Sequence, residues 1–134
     1  MLEKIDHIGI AVKNADASIA IFNALLNQIP IKEERVESEN VHTVFYKSGD
    51  SKIELLEALS DESAIAKFIE KRGEGVHHIA FAVDDIYAEI TRLKNEGFVF
   101  TRDEPFVGAD NKLVIFIHPK SSNSVLIELC QEIK

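Results

Sequence analysis

The sequence is poor in cysteine, in linker residues and in positive charge, and each shortage removes a class of protein. Cys130 is the single cysteine, so no intramolecular disulfide can staple the chain. Its opening, Met1 with Glu3 and Lys4 close behind, is not the cationic start and apolar run of a secretory leader, and a soluble cytoplasmic protein is expected. No apolar stretch approaches the roughly 20 residues that cross a bilayer, so no membrane partner is expected. Three prolines and six glycines are too few and too scattered for a linker, and one domain over residues 1–134 is expected. Fifteen Lys and Arg against 23 Asp and Glu give a net charge of −8, which argues against a nucleic-acid partner. With 46% hydrophobic residues, 134 residues can still bury one real core.

What is present is a half-chain used twice. "IDHIGIAV" at Ile5 to Val12 returns as "VHHIAFAV" at Val76 to Val83. Each copy leads into a helical segment opened by aspartate: Asp16 before "ASIAIFNALLN", and Asp84 and Asp85 before "IYAEITRLKNE", which stops at Gly97. Each half then ends in a β-branched and aromatic hairpin, "VHTVFYKSGDSKIELLE" and "KLVIFIHPKSSNSVLIELC". The pattern predicts an α+β fold of two tandem β-α-β-β-β modules, one over about 1–59 and one over about 76–134. A linking helix is expected over about 61–72, with an acidic first turn, a basic end and a stripe of Ile65, Phe68 and Ile69.

Strand alternation separates the faces of the repeats. Ile8, Ile10 and Val12 share one face, as do Ile79, Phe81 and Val83, and these bulky faces should pack under helices. The opposite faces carry small residues and one histidine each, His7 and His78, while the closing strands "KIELL" and "LIELC" offer Glu54 and Glu128. A carboxylate buried alone costs several kcal/mol unless it is paired, protonated or metal-bound. Facing halves would bring two imidazoles and two carboxylates together, a donor set for one divalent ion such as Zn, Co, Ni, Mn or Fe. His77 falls on the bulky face and reads as a buried hydrogen-bonding residue. Cys130 reads as a small apolar filler, and Phe45, Phe106 and Phe116 as core or pocket wall.

The paired His strands and "IEL" strands resemble the vicinal-oxygen-chelate superfamily. "HHIAFAVDDI" at His77 to Ile86, "HPK" at His118 to Lys120 and "VLIELCQ" at Val125 to Gln131 resemble its methylmalonyl-CoA epimerase family. The resemblance implies a cupped eight-stranded mixed sheet around a metal held by His7, Glu54, His78 and Glu128, in a homodimer acting on an acyl-CoA. It also implies epimerisation at the carbon alpha to the thioester, through an enolate, with Glu128 and Glu39 as acid/base residues and Glu37 as an alternative to Glu39. Glu39 is followed by Asn40 where the family has Gly, and "SSNS" at Ser121 to Ser124 replaces a Gly-containing loop. Lys120, Ser121 and Asn123 are the substrate-binding candidates there, and Lys112 is a further candidate for anchoring carboxylate or phosphate. Two other functions share the fold: a glyoxalase I-like lyase, and a non-catalytic binding or resistance protein. Retention of all four ligand positions and absence of a "DPDG" turn favour the epimerase family.

Overall fold

Both copies of the repeat form strands in the computed structural model, which describes residues 1–133. They are β1 (Leu2–Val12) and β5 (Gly75–Val83). Each is followed by a helix, α1 (Ala15–Leu26) and α3 (Ile86–Asn95), and the linking helix is α2 (Ala64–Arg72). The hairpins are β3 (Val41–Ser48) with β4 (Ser51–Ala58), and β7 (Lys112–Ile117) with β8 (Ile127–Glu132). The strand each module needs before its hairpin is β2 (Lys32–Val36) in the first and the two-residue β6 (Phe106–Val107) in the second. The repeated β-α-β-β-β order is thus present. Among the described residues, no helix is long and apolar enough to cross a membrane.

The chain divides into two compact units, and the boundary cuts through β1 and β5: Met1–His7 joins His78–Lys134, and Ile8–His77 forms the other. In the first unit the order of neighbouring strands is β1-β5-β8-β7-β6, with β5 and β8 parallel and β7 antiparallel to both β8 and β6. In the second it is β2-β3-β4-β1, with antiparallel β2-β3 and β3-β4 pairs. His7 is consequently grouped with the later half of the chain.

The bulky faces pack as alternation predicts. Val83 joins Ile86, Ile90 and Leu93 of α3 and Ile115 and Leu129 of the hairpin in one core, with Phe81 against it. In the other unit Val12 joins Val44, Tyr46 and Leu55, with Ile19 and Phe22 of α1 packed on them. The small-residue faces are also buried: Ala80 and Cys130 pack with Val114 and Phe106.

Two helix starts differ from expectation. Asn14, not Asp16, caps α1: its side chain accepts from the Ala17 amide at 3.0 Å, and Asp16 lies inside the first turn. A cap must stand outside the helix in extended backbone, as Asn14 does, while an acid inside the first turn still favours the positive end of the helix dipole. Ser63 caps α2 by accepting from Ile65 N, so Asp61 and Glu62 precede the helix rather than form an acidic first turn. Asp85 caps α3 as expected, accepting from Ala88 N.

Leu129 is completely buried between α3 and the β7-β8 hairpin. Leu129→Ala should cost about 2–5 kcal/mol of unfolding free energy, measured by urea denaturation. A smaller loss would mean that the helix settles into the space.

Candidate metal centre

The histidine of each repeat points where alternation places it, onto the small-residue face, and both are 5% exposed. His7 Nε2 and His78 Nε2 lie 3.0 Å apart with their rings edge to face. Glu128 Oε1 on β8 is 3.1 Å from His78 Nε2 and 3.6 Å from His7 Nε2. Parallel pairing sets Glu128 opposite Ala80, two residues beyond His78, and the methyl-sized side chain leaves room for the carboxylate. Phe116, opposite Glu128 on β7, makes a T-shaped contact with the His78 ring, the centroids 5.5 Å apart. Three of the four expected ligands therefore converge within a single unit. The fourth, Glu54, is buried on β4 of the other unit, opposite Phe45.

This group fits a divalent ion. Two donors at right angles and about 2.1 Å from one ion stand roughly 3 Å apart, which is the spacing found here. Two imidazoles and a carboxylate suit Zn, Co, Ni, Mn or Fe. Burial would raise the Glu128 carboxyl, but the flanking His7 and His78 imidazoles hold it at about 2, so it is ionised at neutral pH and can act as a ligand.

Behind His7 lies a second buried pair that sequence reasoning missed. Asp6 Oδ2 is 2.9 Å from His7 Nδ1, and its Oδ1 accepts from Lys112 Nζ at 2.7 Å. Lys112 is 7% exposed, so it is not the surface anchor for carboxylate or phosphate that the sequence suggested. Burial opposes charge on both groups, yet their partners outweigh that penalty: the contacts with His7 and Lys112 hold Asp6 well below the usual carboxylate range, and Asp6 raises Lys112. One signal was available, since Asp6 precedes its histidine where the second repeat has His77. His77 is only half-buried, its ring in a T-shaped contact with Phe68, the centroids 5.0 Å apart. Cys130 is almost fully buried, and burial with Asp6 and Glu128 nearby pushes its thiol well above the ordinary range, consistent with a neutral filler.

Glu39 and Glu37 share a single 3-10 turn, Glu37–Glu39, closed by Asn40 in the left-handed conformation at φ 57°. Glu37 is exposed and bridged to Arg35 Nε at 2.6 Å, whereas Glu39 is half-buried. Lys120 is exposed on the 3-10 turn Pro119–Ser121. The amides of Lys120, Ser121, Ser122 and Ser124 are all used within that turn, and the Ser121 hydroxyl donates to His118 O at 2.9 Å and accepts from Val99 N at 3.1 Å. Asn123 has φ 57°, the conformation glycine would supply.

The sequence model of the Glyoxalase/Bleomycin resistance protein/Dioxygenase superfamily matches residues 6–116. The chain is 38% identical over 133 residues to the ethylmalonyl-CoA/methylmalonyl-CoA epimerase of Cereibacter sphaeroides, covering 98% of this chain and 99% of that one. A hypothetical protein from Bacillus halodurans superposes with a TM-score of 0.94 at 44% identity, covering 98% of this chain and 95% of that one. A variant of the Streptomyces coelicolor methylmalonyl-CoA epimerase, in complex with 2-nitronate-propionyl-CoA, superposes with a TM-score of 0.93 at 34% identity over the whole of both chains.

Co²⁺ or Zn²⁺ at 100 times its Kd should stabilise the folded protein by about 2.7 kcal/mol, seen as a rise in Tm that a chelator reverses. His78→Ala should lose that rise, and an undiminished rise in the variant would remove His78 from the ligand set.

Proposed function

Because the chain belongs to the glyoxalase/bleomycin resistance protein/dioxygenase superfamily, we propose that it is a metal-dependent methylmalonyl-CoA epimerase. The convergence of His7, His78 and Glu128, in a chain with full-length epimerase relatives, carries this reading. Glu54 completes the ligand set in this reading. These residues would hold one divalent ion, Co, Zn, Mn, Ni or Fe, which when bound would supply Lewis-acid stabilisation for an oxyanion developing as the proton alpha to the thioester leaves.

Inversion of that carbon requires one group to remove a proton and another to return one on the opposite side. Glu128 is ionised at neutral pH and takes one of these roles. Glu39 takes the other. Its turn is pinned on both sides: Asn40 N donates to Glu37 O, Leu59 N donates to Asn40 O, and Asn40 Nδ2 donates to Ser60 Oγ at 2.6 Å. Glu37, spent on Arg35 in solvent, is the weaker candidate. Lys120 and the loop around Ser121 and Asn123 bind the acidic groups of the acyl-CoA. In that loop Asn123 contributes its backbone amide, the others being taken up inside the turn. A single domain over residues 1–134, working as a cytoplasmic homodimer, completes the proposal.

The metal-loaded protein should exchange the alpha proton of methylmalonyl-CoA for deuterium in D₂O, followed by loss of its NMR signal, and a chelator should stop the exchange. No exchange with metal bound would sink the epimerase reading and make a glutathione hemithioacetal the next substrate to try. Glu39→Gln should slow epimerisation by roughly 10²–10⁴-fold without weakening metal binding. Full activity in that variant would transfer the role to Glu37 or another group.

A further inference from the structure

A metal-binding imidazole must present a bare nitrogen, and the hydrogen bond at its other nitrogen decides which one is bare. We propose that Asp6 and Lys112 are positioning residues that lock His7 in the tautomer carrying its proton on Nδ1, leaving Nε2 free to bind the ion. The inference rests on reading His7 as a metal ligand.

Three observations support it. The Lys112 ammonium, with three donors and no acceptor, lies 2.7 Å from Asp6 Oδ1 and keeps the carboxylate ionised. An ionised carboxylate only accepts, so the 2.9 Å contact between Asp6 Oδ2 and His7 Nδ1 requires the proton to sit on Nδ1. His7 Nε2, at the other end of the ring, lies among His78 Nε2 and Glu128 Oε1. All of these groups are buried, so water does not compete for the two contacts. The relay joins residues 106 positions apart, and it is particular to the first repeat, because His77 occupies the position equivalent to Asp6 in the second.

Asp6→Asn provides the sharpest test. Lys112 offers only donors, so the Asn oxygen must face it and the amide NH₂ must turn to His7 Nδ1. The ring would then carry its proton on Nε2, the ligand atom. Long-range ¹H–¹⁵N spectra of metal-free protein should show His7 protonated at Nδ1 in the wild type and at Nε2 in Asp6→Asn. Co²⁺ affinity, measured by calorimetry, should fall roughly 10–100-fold. The double variant Asp6→Leu with Lys112→Met replaces the buried ion pair by apolar side chains and should keep the fold while losing both the tautomer preference and the affinity. Lys112→Arg, which retains the charge, should preserve both.

A wild-type His7 protonated at Nε2, or an Asp6→Asn protein with unchanged tautomer and Co²⁺ affinity, would overturn the proposal. Wild-type protein that binds no Co²⁺ would overturn the ligand reading of His7 and this proposal together. Co²⁺ binding that is equal in the wild type and in the double variant would overturn the proposal alone.

Discussion

Burying charge governs the unit that carries the candidate metal centre. Glu128, Asp6 and Lys112 are each no more than 7% exposed, and an ion alone in such a place would cost several kcal/mol or lose its charge. Each charge has a counterpart instead. Asp6 and Lys112 neutralise one another at 2.7 Å, and Glu128 is sheltered by two imidazoles. Removing one member of such a pair is far more damaging than removing both, because the remaining charge is stranded in the interior. The strands that surround these groups carry Ala80, Cys130 and Val114, side chains small enough to leave space for them.

The strand period made most of this centre legible. Two histidines at matched positions, and two glutamates at matched positions, are a pattern that packing alone has no reason to generate, and all four are buried. The helices were legible as segments but not in their first residues. Asn14 and Ser63 displaced the more conspicuous acids because a cap depends on backbone geometry at one position, to which composition is blind. The Asp6–Lys112 pair was illegible for a different reason. Neighbouring residues on a strand ordinarily face opposite ways, so period 2 separates Asp6 from His7, and nothing local links either to a lysine more than 100 residues away. Lys112 looked like a surface cation because most lysines are.

Low glycine content proved compatible with a turn-rich chain because asparagine stands in for it. Asn27 closes α1, Asn40 closes the turn bearing Glu39, and Asn111 and Asn123 lie in the loops on either side of β7, all with φ between 52° and 57°. Asparagine tolerates the left-handed region better than other side chains with a Cβ, and it costs the unfolded chain less conformational freedom than glycine does. At Asn40 the side chain does more than tolerate the turn, since its amide reaches Ser60 and ties the loop to the end of the first module.

Duplication explains why the centre exists, and departures from duplication explain what it can do. A perfectly repeated pair of modules would offer any bound ion equivalent groups and treat both ends of a substrate alike. An acyl-CoA with a carboxylate at one end and a thioester at the other calls for an asymmetric site. The first repeat brings Asp6, with Lys112 behind it, to the far nitrogen of His7, whereas His78 also meets the Phe116 ring in a T-shaped contact. Matching strands thus carry their histidines in different surroundings, and the difference lies outside the repeated residues themselves.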